Sequence, residues 1–135
     1  DQTKAVRWAL NNLKGIETIH ILGATGGRAD HTIGNTSLLM EYTRMFDLKD
    51  ITIEMVSDDG TIFPINDTIE FECGPGRSIS IFTPDNSLRI RSEGLMYPTD
   101  DVVFDNWWKA TLNKTVQDNV RLELSHRSIA LIMLD

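Results

Sequence analysis

The residues best equipped for chemistry lie in one run, Gly23-Ala24-Thr25-Gly26-Gly27-Arg28-Ala29-Asp30-His31. An apolar, β-branched stretch precedes it at Ile16–Leu22, and an apolar helical period follows from Thr32. The run therefore reads as a strand-to-helix turn, where free backbone N–H groups and the helix dipole favour an anion. It is neither of the common phosphate loops. The dinucleotide pattern needs glycine where the chain has Thr25, and the P-loop needs Gly-Lys where it has Arg28-Ala29. What remains is a permissive backbone at Gly26 and Gly27, a guanidinium, and a carboxylate two residues further on. Arg28 can fork onto phosphate oxygens, and Asp30 can hold a magnesium ion shared with those phosphates. A plainer reading makes Asp30 an ordinary N-cap, Arg28 a solvated charge and the glycines turn residues. On spacing alone the plainer reading is favoured, because such caps are common.

Other reactive side chains point to no site of their own. His20 sits in a strand pattern, His31 follows the loop and His126 precedes the last strand, without metal-ligand spacing. His31 reads as an orienting or helix-capping residue. Cys73 has no histidine within sequence reach and reads as a small buried hydrophobe. Trp8 reads as helix packing, and the adjacent Trp107-Trp108 pair as core or interface.

The elements that must position the loop change character halfway along the chain. Val6, Ala9, Leu10 and Leu13 mark one face of a first helix, with Asp1 as its cap or first-turn acid and Lys14-Gly15 as its stop. Ile16–Leu22 reads as a buried strand. A second helix is predicted over Thr32–Phe46, burying Ile33, Leu38, Leu39, Tyr42 and Met45 or Phe46, and a second strand over Ile51–Val56. This order builds part of a parallel α/β layer. Asp58-Asp59-Gly60 then reads as a hairpin turn into Thr61–Ile65. Short strands follow at Thr68–Cys73, Ser78–Phe82, Leu88–Ser92, Val120–Ser125 and Ile129–Leu134, the pattern of an antiparallel sandwich or roll. Asp101–Asn113 shows no clean period. The expected fold is thus a partial Rossmann-like parallel α/β layer over residues 1–57, followed by an antiparallel β-sandwich or roll over 58–135.

Composition narrows the classes of function. The 135 residues carry a net charge of −7, which argues against nucleic acid as the main partner. The longest apolar run is too short to span a bilayer and no signal peptide opens the chain. A single cysteine fits a reducing compartment, so a cytoplasmic protein is expected. The abrupt start at Asp1-Gln2-Thr3-Lys4 and the two lone parallel strands read as a fragment whose α/β layer begins upstream or is completed by another chain.

Four features in order resemble the thiamine pyrophosphokinase family. Gly26-Gly27-Arg28-Ala29-Asp30-His31 with Asn35, Leu38 and Leu39 resembles its signature loop. Asp1-Gln2-Thr3-Lys4-Ala5 resembles the end of its Asp-x-x-x-Thr-Asp-x-x-Lys-Ala stretch, Gly94-Leu95-Met96-Tyr97-Pro98 its Gly-Leu-Lys-Tyr-Pro turn, and Asn113 its Ser-Asn pair. Met96, Leu112 and Lys114 depart from the family's usual Lys, Ser and acid.

The resemblance implies transfer of pyrophosphate from ATP to the thiamine hydroxyl, with release of AMP. Asp1 and Asp30 would hold Mg2+, with Arg28 as the third catalytic residue. Gly26, Gly27, Arg28 and His31 would bind ATP phosphates, while Asn113 and Trp107 or Trp108 would bind thiamine, an aromatic face suiting its cationic rings. It also implies a homodimer with thiamine between subunits. As a fragment lacking upstream acids, the chain alone is expected to be inactive. The alternative is a non-enzymatic small-ligand binding or assembly module, complete as it stands; the sequence upstream of Asp1 discriminates the two.

Overall fold

The computed structural model describes residues 2–135. Helix α1 (Gln2–Asn12) buries Val6 and half-buries Ala9 and Leu10 on one face. Leu13 falls beyond the helix end and is exposed, and Trp8, on the opposite face from Val6, is exposed rather than packed. The expected cap, Asp1, lies outside the described residues.

Helix α2 (Ala29–Met45) begins three residues before the predicted Thr32. Arg28 is extended and its carbonyl accepts the Thr32 N–H at 3.1 Å, so the first turn is built from the motif itself, where no apolar period announces it. Leu39 and Tyr42 are buried as expected, and Leu38 and Phe46 half-buried, but Ile33 and Met45 are exposed.

The strands form two sheets. The larger has the order β1-β2-β3-β9-β5-β7 and the smaller β4-β8-β6. Strand β1 (Thr18–Leu22) runs parallel to β2 (Thr52–Ser57), from Thr18 opposite Thr52 to Leu22 opposite Val56. Among the described residues β1 is the outermost strand of the large sheet, and Leu22 is 72% exposed, so the burial expected for Ile16–Leu22 is not supplied within them. β-Branched composition reports a residue's fit to a pleated surface, not which neighbours flank it.

From β2 onward all pairing is antiparallel. Asp58-Asp59 turns the chain into β3 (Gly60–Ile65), which continues the same sheet with Ser57 opposite Gly60. Gly60 has φ +131°, and a Cβ there would lie 2.5 Å from the Leu134 carbonyl oxygen, so only glycine lets the hairpin close against the chain's end. Strands β5 (Ser78–Phe82) and β9 (Ala130–Leu134) complete the centre of the large sheet, while β4 (Ile69–Glu72), β6 (Ile90–Glu93) and β8 (Asn119–Leu124) form the small one. Strand β7 (Ala110–Lys114) lies within and just beyond the stretch that showed no period. Its pairing with β5 is irregular: Ile79 faces Asn113, but Ile81 faces Ala110. Leu112 sits at φ +59° with its side chain in solvent. Such a bulge breaks the alternation by which a strand is recognised.

Two cores result. One fills the space between the sheets, with Ile79, Ile81 and Ile132 facing Ile90, Val120 and Leu122. The other packs Val6, Leu39 and Tyr42 of the helices onto Ile53, Met55, Ile62 and Leu131. The fold is therefore a parallel α/β layer joined to an antiparallel β-sandwich, as expected.

The helices are locked together by a polar contact at the second core. The fully buried Tyr42 hydroxyl accepts from Gln2 Nε2 at 3.1 Å and lies 2.8 Å from Thr3 Oγ1. Replacing it by phenylalanine preserves the packing but leaves two partly buried polar groups without that partner. Tyr42→Phe should therefore cost about 1–2 kcal/mol in urea unfolding, with the native circular dichroism spectrum retained.

Candidate functional site

Strand β1 delivers the chain at its C-terminal end to the glycine loop, and the loop opens into α2. Gly26 adopts φ +87°, which a side chain would resist, and the space in front of Gly26 and Gly27 is open to at least 4 Å. The loop is anchored from behind. Asn35, in the second turn of α2, donates through Nδ2 to the Ala24 carbonyl at 3.1 Å, and its own carbonyl accepts from Gln2 Nε2 at 3.2 Å. The start of α1 is thereby held beside the loop.

Arg28 and Asp30 form a fork at the helix start, with Nε donating to Oδ1 at 3.1 Å and Nη2 to Oδ2 at 2.8 Å. Asp30 Oδ1 also accepts the His31 N–H at 2.9 Å. The capping position belongs to Arg28, whose side chain makes no capping bond, so Asp30 is not the N-cap of the plainer reading, and His31 does not cap the helix either. Both fork side chains are mostly exposed. An ion pair of this kind is worth at most about 1 kcal/mol, so an incoming phosphate or cation can separate it cheaply.

Two cavities adjoin the loop. The first, of about 610 Å³, lies against α1 and β1 and is lined by Gln2, Gly23, Ala24, His31 and Asn35 among others. The second, of about 340 Å³, runs between α2 and the open face of the large sheet. Thr25 and Gly26 of the loop and Trp107 from a distant segment all line it, with Ile33, Met40, Phe82 and Met133 as apolar walls. This cavity explains why Ile33 is not in the core: it faces the groove. The Trp107 ring stacks on Phe82, centroids 5.3 Å apart and 32° between planes, while 56% of the residue stays exposed.

The other expected thiamine residues lie elsewhere. Trp108 is half-exposed, is not among the residues lining the groove, and carries the Lys109 ammonium 5.2 Å from its ring centre. Asn113 is buried and its amide serves the backbone: Oδ1 accepts from Tyr97 N at 3.1 Å and Lys114 N at 2.8 Å, and Nδ2 donates to Tyr97 O at 2.7 Å. It ties the Gly94–Pro98 turn to β7, joining two motifs that lie apart in sequence.

The remaining histidines are paired with acids outside the loop, His20 with Glu54 and His126 with Asp85, each at 3.0 Å. Cys73 is half-buried against the sandwich core, not fully buried.

Asp1 lies outside the described residues, so its position relative to Asp30 is not part of this geometry. Among the described residues no group of three or more His, Cys, Asp or Glu is placed to hold a metal ion. Magnesium does not need one, since it keeps several waters and binds through one or two carboxylates plus substrate phosphates. Asp30, exposed and opposed only by an easily opened arginine, fits that mode. Sequence reasoning missed Ile33 as a groove residue, and Met40, Phe82 and Met133 altogether. Only their place on the cavity wall marks them.

Residues 1–53 match the family described as thiamin pyrophosphokinase, catalytic domain, and residues 60–130 that described as thiamin pyrophosphokinase, substrate-binding domain. No curated protein is significantly similar in sequence. Among solved structures, thiamine pyrophosphokinase from Bacillus subtilis superposes with a TM-score of 0.79 at 23% identity, over 100% of this chain and 62% of that one. The enzyme from Geobacillus thermodenitrificans gives 0.74 at 22%, over 100% and 61%. That from Candida albicans gives 0.69 at 18%, over 97% and 51%. At these identities the likeness is one of fold, and the chain spans between half and two thirds of each relative.

The Asn113 clamp yields a direct test. Asn113→Ala removes three hydrogen bonds but leaves Tyr97 exposed enough to be rehydrated. It should cost about 1–3 kcal/mol, read as a drop of several degrees in melting temperature.

Proposed function

Since the chain belongs to the thiamin pyrophosphokinase family, we propose that it takes part in transferring pyrophosphate from ATP to the hydroxyl of thiamine, giving thiamine diphosphate and AMP. The observation that carries this reading is the single groove lined by both Gly26 and Trp107. Its lining thus combines an anion-accepting loop at a helix start with an aromatic face for a flat cation. Residues 1–57 would belong to the catalytic layer and 58–135 to the thiamine-binding one.

In this reading the thiamine hydroxyl oxygen attacks the β-phosphorus of ATP, the bond to the α-phosphate oxygen breaks, and AMP leaves. Gly26 and Gly27 let the backbone approach the phosphates, and His31 lies at the adjoining cavity where they would extend. Arg28 turns from Asp30 to the phosphate oxygens, where its fork neutralises charge as it moves towards the leaving group. Asp30, so released, accepts the hydroxyl proton or holds Mg2+, with Asp1 as the second carboxylate. Bound magnesium supplies neutralisation of the phosphate charge. Trp107 orients the thiamine rings; Trp108 and Asn113, which do not line the groove, have no direct contact with thiamine in this reading. We take the working unit to be a homodimer in the cytoplasm. No described helix is long and apolar enough to cross a membrane.

Asp30→Asn separates the two roles of this residue. Asparagine still accepts the His31 N–H but supplies no negative charge. In the protein expressed from its complete gene, at saturating magnesium, the variant should melt within about 2 °C of the parent. It should lose about 99% or more of thiamine-dependent AMP release, the ordinary scale for a lost acid–base residue. Unchanged turnover would remove Asp30 from the site. Thiamine binding without turnover by the unmodified complete protein would leave the small-ligand binding module as the correct reading.

A further inference from the structure

The turn Thr83-Pro84-Asp85-Asn86 follows β5 directly and holds the best-bonded carboxylate among the described residues. Asp85 Oδ1 accepts from Ser87 N at 2.9 Å and Ser87 Oγ at 2.6 Å. Asp85 Oδ2 accepts from Ser128 Oγ at 2.7 Å and lies 3.0 Å from His126 Nε2. The imidazole is held in turn by Ser125, whose Oγ is 3.0 Å from Nδ1. These donors come from two segments far apart in sequence, and a turn alone needs only the first pair.

The other side of the same turn leads to the groove. The Asp85 N–H donates to Thr83 Oγ1 at 3.1 Å, and the buried Thr83 hydroxyl donates to the Ile129 carbonyl at 2.8 Å. The Thr83 N–H donates to the Trp107 carbonyl at 3.3 Å, and Phe82 supplies the ring beneath Trp107. Residues 101–109, which carry Trp107, belong to no helix or strand. Trp107 therefore has its backbone and one ring face held by Phe82-Thr83; Phe82 is paired with Leu131 and Thr83 bonded to Ile129, next to the Ser128 that Asp85 grips.

We propose that Asp85 is a positioning residue for Trp107: its clasp with His126 and Ser128 sets the turn that holds the tryptophan at the groove. The bonds from Ser87, Ser128 and His126 hold the carboxyl well below the usual carboxylate range, so the clasp is anionic at any ordinary pH. The effect on thiamine rests on the groove being the thiamine site; the effect on Trp107 does not.

The experiment reads Trp107 alone, in a chain carrying Trp8→Phe and Trp108→Phe, two exposed positions. In Asp85→Ala and His126→Ala, acrylamide quenching of Trp107 should rise about twofold, as for a ring freed on a second face. Val120→Ala, in the core between the sheets, is the control that lowers stability and leaves quenching unchanged. His126→Gln keeps an N–H donor and should restore most of the protection. Thiamine added to the same proteins should bind about tenfold more weakly without the clasp, equivalent to about 1.4 kcal/mol. Unchanged quenching in folded Asp85→Ala and His126→Ala overturns the proposal, as does equal quenching in the Val120→Ala control. Should Asp85→Ala not fold, His126→Ala and Ser128→Ala decide by the same criterion. If the unmodified complete protein does not bind thiamine, the proposed function fails, while the quenching result still decides the clasp.

Discussion

The structure depends on the insertion of β9 between β3 and β5. Ile62 and Phe63 face Met133 and Ile132 across one side of the strand, and Ser80 and Ile81 face the same two residues across the other. Successive side chains of β9 point to opposite faces, so Leu131 completes the core under the helices while Ile132 completes the core between the sheets. Both hydrophobic cores thus share one backbone. The strand's far end is held by the Asp135 N–H donating to the Ser78 carbonyl at 3.1 Å, by the Arg77 guanidinium on the Asp135 carbonyl, and by the close approach at Gly60. Because these partners are distant in sequence, the sheet closes only after a large loop-closure cost, which the two cores together must offset.

That insertion also makes the groove. Leu131 and Met133 are on the helix-facing side of β9, but α2 covers only part of the sheet there. Leu131 is sealed under the helix, whereas Met133 is 39% exposed. The uncovered strip, bounded by Ile33 and Met40 on the helix and by Trp107 on the far loop, is apolar surface left open at the seam between the α/β layer and the sandwich. Open apolar surface costs stability that a filled core would have gained. Its position beside the glycine loop gives that cost a functional counterpart.

Electrostatics at the start of α2 and at the turn after β5 differ in kind. At the helix start, charge is held in an exposed fork that a ligand can open. At the turn after β5, charge is held in a clasp of several donors that nothing displaces easily. The first suits residues that must exchange partners during a reaction, and the second suits a framework that must not move. The overall negative charge of the chain is compatible with a cationic ligand, while Arg28 places a local positive charge beside the glycine loop.

The sequence by itself determined what is local. The strand–glycine loop–helix order, the Asp58-Asp59-Gly60 hairpin, most of the later strands and the family motif around Asp30 were all legible, because each depends on neighbours within a few residues. It could not show which strands flank Ile16–Leu22, because the same apolar pattern serves an edge or a centre. Nor could it reveal β7, whose bulge and left-handed Leu112 erase the alternation, or the start of α2, whose first turn carries no apolar period. Of the site, Gly26 and Arg28 were visible as a motif and Trp107 only as one of two candidates. Tertiary structure alone distinguished Trp107 from Trp108, turned Asn113 towards the Tyr97 backbone, and brought Ile33, Met40, Phe82 and Met133 to one groove. Those residues meet because β9 joins segments far apart in the chain, and such pairing is set by the burial of whole faces rather than by any short run of residues.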